Sequence, residues 1–109
     1  MQSRTTPGKV IQIVSAEAIP GKEREFNKWY DEVHLPLFQG KNSPVRLIRR
    51  FSTDSASSFI TVYEYDSLGD MQRFQETPEF KMAGEDARKR IGVLVKSFSS
   101  KVYTQIYPK

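Results

Sequence analysis

Cysteine is absent from the 109-residue chain, and histidine and tryptophan occur once each. Without cysteine there is no disulfide, no thiolate zinc site and no cysteine nucleophile. No apolar run approaches the roughly 20 residues that span a bilayer, so no membrane partner is expected. The polar stretch from Met1 to Lys9 lacks the apolar core of a secretion signal, which makes the cytoplasm the default expectation. Neither GxGxxG nor GxxxxGK[ST] occurs, so a nucleotide site has no support. A GxSxG nucleophile elbow is missing too. One imidazole and scattered carboxylates give no recognised metal-ligand spacing, so no metal is expected.

What remains is an ordinary soluble-domain composition, with hydrophobic residues at 38% and charged residues at 28%. The net charge is +4. Nucleic-acid binding needs such charge gathered on one face. Here the bases fall into two small groups, Arg46/Arg49/Arg50 and Arg88/Lys89/Arg90, with acids spread between them. A solvated, mildly basic surface and no nucleic-acid partner are therefore expected.

Residues 1–8 carry Ser, Thr, Pro and Gly without periodicity and read as a flexible tail, leaving residues 9–109 as one domain. Residues 10–19 are rich in β-branched side chains and predict a strand, closed by Pro20-Gly21. Residues 22–35 predict a helix with an apolar stripe of Phe26, Trp29/Tyr30, Val33 and Leu37. Pro36 disfavours helical geometry at Leu35, which places the helix end near His34. Strands are predicted at 44–53 and 59–65 around a polar hairpin loop. Ser67 opens a short helical turn, and Thr77-Pro78-Glu79 supplies an N-cap, a first-turn proline and a first-turn acid for a second main helix. Its period runs through Phe80, Ala83, Ala87, Ile91, Leu94 and Phe98, with a strand at 92–95 as the alternative; residues 101–107 predict the last strand.

The order strand, helix, strand, strand, helix, strand is the ferredoxin-like βαββαβ arrangement, an α+β fold with a four-stranded antiparallel sheet and helices on one face. In the first strand Ile11 and Ile13 oppose Val10 and Val14; in the third, Ile60 and Val62 oppose Phe59, Tyr63 and Tyr65. Helices cover only one of these faces. The other is too apolar to stand in water, and a second copy is the simplest cover, which predicts a homodimer.

His34 is the first candidate for acid–base chemistry, because imidazole alone has an unperturbed pKa near neutrality. At ~100° per residue it lies ~40° around the helix from Tyr30, and Tyr30 and Asp31 are both within reach. The alternative is a helix-end histidine bonded to a free carbonyl. Tyr63 and Tyr65 share a strand face, as do Tyr103 and Tyr107; such a face suits a dimer interface, or the wall of a pocket for a planar ligand. On the second strand, alternation puts Arg46 and Arg50 on one face and Arg49 on the other with Val45, Leu47 and Phe51. These arginines either pair with a carboxylate, Glu64 being one candidate, or hold an enolate oxygen of a ligand.

The segment Phe26-Asn27-Lys28-Trp29-Tyr30-Asp31-Glu32-Val33-His34-Leu35-Pro36 resembles the first-helix signature of the EthD-like branch of the dimeric α+β barrel superfamily, an aromatic-rich helix ending in His-x-Pro. The resemblance implies a homodimer whose sheets face each other inside a barrel, and a pocket in each protomer between helices and sheet. It implies a cofactor-independent enzyme of the cyclase, isomerase, decarboxylase or monooxygenase type, acting on an aromatic or polyketide-like metabolite by proton transfer next to a carbonyl. The alternative is a non-catalytic dimeric ligand-binding or interaction domain. His34 is the expected catalytic residue. Tyr30, Trp29, Tyr63 and an arginine of the second strand, Arg46 or Arg49, are the expected ligand-binding set.

Overall fold

β-Branched and aromatic residues at alternating positions build a sheet whose central strands are β1 (Val10–Ala18) and β3 (Ser58–Tyr65). β2 (Val45–Ser52) flanks β3, and β4 (Val95–Thr104) flanks β1, giving the antiparallel order β2-β3-β1-β4. This is a computed structural model, and it describes residues 8–108. Helices α1 (Glu23–Trp29), α2 (Leu68–Gln75) and α3 (Pro78–Arg90) pack on one face of the sheet. The fold is thus the α+β, ferredoxin-like one read from the order of elements. Among the described residues, no helix is long and apolar enough to cross a membrane. The expected tail at 1–8 lies outside the described residues except for Gly8, which packs on the last strand's extension: a Cβ there would collide with the Gln105 carbonyl oxygen.

Two helix starts form as the sequence predicts. The Ser67 hydroxyl accepts from Asp70 N–H at 3.1 Å, and the Thr77 hydroxyl from Phe80 N–H at 3.2 Å. Each satisfies a donor that the first helical turn leaves free. The buried face of the sheet carries Val10, Ala16 and Ala18 of β1 and Thr61, Tyr63 and Tyr65 of β3. Cross-strand register arranges the opposite face in rows, Leu47–Glu64–Ile11–Tyr103, Arg49–Val62–Ile13–Lys101 and Phe51–Ile60–Ser15–Ser99. No element of the described chain covers these rows.

Four expectations are corrected. First, the regular α-helix stops at Trp29. A π-helical turn (Tyr30–His34) and a 3₁₀ turn (Leu35–Phe38) continue it. Leu35 stays helical (φ −60°, ψ −37°) despite the following proline, because Pro36 falls in the first turn of the 3₁₀ segment, where a missing N–H costs little. Second, the long helix ends at Arg90 instead of running to Phe98. Gly92 takes φ +88°, a conformation that favours glycine, and turns the chain into β4. β4 consequently begins at Val95, six residues before the predicted start, and its serines pair in register with β1.

Third, a bulge between Val45 and Leu47 breaks the alternation of β2. Val45 joins Ile48 against the core, and Arg46 no longer shares a face with Arg50 in simple alternation. Glu64 pairs with neither arginine but with Lys9, at 3.2 Å. Fourth, Tyr63 and Tyr65 lie beneath the helices at 1% and 0% exposure, so they form no part of an interface on the open face. Tyr103 does stand on that face, and Tyr107 lies beyond the strand and is exposed.

Candidate functional site

The π-turn decides which side chains reach the interior. An α-helical period would bury Val33 and Leu37 after Tyr30. The Leu35 N–H instead bonds back to Tyr30 O, which inserts one residue into the turn. The buried positions become Phe26, Trp29, Tyr30, His34 and Phe38, while Val33 is 47% exposed. The exchange buries the Phe38 ring fully and leaves Leu37 partly buried at the edge of the core. Phe38 stacks on Tyr63 with centroids 4.6 Å apart and meets Phe74 at 5.2 Å, contacts of a kind that add to the burial of apolar surface.

His34 therefore lines a cleft of about 280 Å³ between the π-turn, α3 and the sheet. Val14, Phe38, Phe80, Ala83, Ala87 and Phe98 make the wall apolar, and Gln12, Ser99 and Ser100 add polar groups. Ala83, Gly84 and Ala87 on α3 are small, which leaves the space open. Among the described residues, no charged side chain lines it.

The imidazole is 7% exposed and touches three rings, Trp29 at 5.0 Å, Tyr30 at 4.7 Å and Phe38 at 5.1 Å between centroids. Its Nδ1 has no hydrogen-bond partner. Burial pushes its pKa down to about 4, the negative charge of Asp86 acts in the opposite direction, and the Arg50 cation reinforces the fall. At neutral pH the ring is uncharged. No carbonyl at the end of the helix pairs with Nδ1.

Beside it, the hydroxyls of Tyr30 and Tyr63 share a 2.7 Å hydrogen bond. Burial raises both pKa values, so both phenols keep their protons. One donates to the other, and the buried Thr61 hydroxyl is a further hydrogen-bond partner of Tyr30.

The sequence-predicted residues separate here. His34, Tyr30 and Tyr63 converge on the cleft. Trp29 does not line it; its ring backs the imidazole, and its Nε1–H donates to Asp86 at 2.6 Å. Arg46 turns outward to Asp66 at 2.8 Å, and Arg49 stands on the open face opposite Val62. The arginine near the site is Arg50. Its guanidinium lies 4.3 Å from the Tyr30 ring centroid, a stacking a planar cation favours. It donates to Asn27 and to Asp31, each at 2.9 Å. Asp31 thus serves Arg50 rather than His34. The missed signals are the Asn27/Asp31 pair four residues apart, spanning α1 and the π-turn, and Asp86, 57 residues from Trp29. Among the described residues, no group of three His, Cys, Asp or Glu side chains could hold a metal ion.

No family model matches the chain, and neither does any curated protein. Its fold has many solved counterparts. An ethyl tert-butyl ether degradation (EthD) family protein from Bacillus halodurans superimposes with a TM-score of 0.70 at 20% identity, covering 89% of this chain and 99% of that one. SnoaB, a cofactor-independent oxygenase from Streptomyces nogalater, gives 0.71 at 13% identity, covering 94% and 99%. A protein of unknown function from Nitrosomonas europaea gives 0.73 at 15% identity, covering 96% of each chain. At such identities the likeness establishes the fold of the single chain alone.

Proposed function

We propose that the protein is a small cofactor-independent enzyme that moves a proton next to a carbonyl of an aromatic or polyketide-like metabolite. The observation that carries this reading is a single buried, uncharged imidazole in the wall of an apolar cleft. A planar, uncharged ligand matches the wall. His34 takes a proton from the carbon beside the carbonyl; the C–H bond breaks, and its electron pair passes into an enolate. A hydroxyl of the Tyr30/Tyr63 pair turns its proton to the enolate oxygen and steadies it. The imidazolium then returns the proton to the same or another carbon. The likeness to a cofactor-independent oxygenase supports the absence of a helper group.

The basicity of His34 narrows the substrate. Each unit of mismatch between donor and acceptor costs ~1.4 kcal/mol. With a pKa of about 4, the ring is a weak base. A simple ketone lies beyond it; a carbon acid whose anion spreads over two carbonyls or into an aromatic ring does not. The second copy proposed for the open sheet face covers the Ile11, Ile13, Ile60 and Val62 surface and leaves the cleft, on the helix side, accessible.

The test is exchange of the benzylic hydrogens of 2-tetralone in D₂O, followed by proton NMR. The wild-type protein is expected to accelerate exchange, and His34→Gln to lose about 10²-fold or more of that acceleration. Undiminished exchange in the variant removes the acid–base role and leaves a ligand-binding domain.

A further inference from the structure

We propose that Asp86, on α3 and outside the cleft wall, is a positioning residue for His34: it holds the Trp29 indole against the imidazole and supplies the negative charge that faces the ring when a proton arrives. The inference rests on the reading of His34 as the proton acceptor. Asp86 Oδ2 accepts from Trp29 Nε1–H at 2.6 Å, and Oδ1 accepts from Arg90 at 3.1 Å. The Arg90 guanidinium also lies 5.6 Å from the Trp29 ring centroid. The indole is thereby gripped from α3, and its ring is one of the three that seat the imidazole.

A neutral amide would satisfy an indole N–H equally well. A carboxylate does more, because a half-buried charge acts across low-dielectric rings that water does not screen. The other titratable or charged groups around His34 are Tyr30, Tyr63 and Arg50. Both tyrosines stay protonated. Arg50 opposes a proton on the imidazole, and Asp86 favours one. His34 thus has a cation stacked on one ring neighbour and an anion bonded to another. An ion pair of imidazolium and carboxylate, separated by the indole, is the state this arrangement stabilises after proton transfer.

The chain's one imidazole gives one set of ring signals, so its titration can be followed by ¹H–¹⁵N NMR in the whole protein with no ligand. Asp86→Asn keeps an acceptor for Trp29 and removes the charge; the His34 midpoint is expected to fall, with a three- to tenfold loss of proton affinity. Asp86→Glu is expected to restore it. Arg90→Gln removes the cation that offsets Asp86, and the midpoint is expected to rise. An unmoved midpoint in Asp86→Asn, or shifts of one sign in Asp86→Asn and Arg90→Gln, overturns the proposal. Should Asp86→Asn fail to fold, a midpoint that does not rise in Arg90→Gln overturns it alone. A failure of the catalytic reading appears separately, as unchanged 2-tetralone exchange in His34→Gln.

Discussion

A buried histidine without a partner for Nδ1 leaves a mark on stability as well as on chemistry. Its pKa is about 4 in the folded chain against 6.5 when unperturbed. The unfolded chain therefore binds the proton more readily, and protonation favours unfolding. Stability from this group is complete above pH 6.5, declines as pH falls towards 4, and does not change further below that. The full difference is on the order of 3 kcal/mol. Thermal unfolding of wild type and His34→Leu from pH 7 to 4 is expected to show the wild-type midpoint falling more steeply; parallel curves would contradict it. His34 and Tyr30 are legible in the sequence because one histidine exists and a four-residue spacing brings the two rings together. Arg50 and Asp86 are not. Alternation sets Arg50 opposite Arg49 without saying which face the helices cover, and Asp86 depends on packing of α3 against α1, which leaves no local pattern.

At the scale of the element, the π-turn is the decisive departure. Periodicity assumes 3.6 residues per turn, so an inserted residue is invisible to it. The same blindness hides the start of β4, whose serines lack the β-branched signal that reveals β1 and β3. The insertion is also removable. Deleting the exposed Val33 puts His34 and Phe38 at the α-helical positions that Val33 and Leu37 would occupy, so the same rings can be buried by an unbroken helix. The shortened chain is expected to fold with stability within about 2 kcal/mol of wild type, because no buried contact is lost outright. Its imidazole sits differently against Tyr30, and acceleration of 2-tetralone exchange is expected to drop to the level of His34→Gln. Unfolding of the deletion variant would show that the turn is a structural necessity instead.

For the whole molecule, the uncovered sheet face is the feature with the largest consequence. Four apolar side chains, Ile11, Ile13, Ile60 and Val62, meet at its centre on neighbouring strands. Arg49 and Lys101 stand at the ends of the middle row and Glu64 in the next, so two copies can bring opposite charges together around an apolar middle. A dimer is the expected state by analytical ultracentrifugation. Ile13→Arg, which adds a charge at the centre of that face, is expected to give a folded monomer; a dimer that survives the change would place the contact elsewhere. The alternation of β1 and β3 makes this second apolar face readable from sequence, whereas it leaves the environment of Tyr63 and Tyr65 open. Phenols suit an interface and a core alike, and only the helices above them settle which. The same packing brings the chain's only indole against its only imidazole. Intrinsic emission excited at the red edge thus comes from a single fluorophore in van der Waals reach of the candidate base. Imidazolium quenches indole more strongly than the neutral ring, so the protein carries an optical reporter of its own proton, readable without a label, a coupled assay or an identified metabolite.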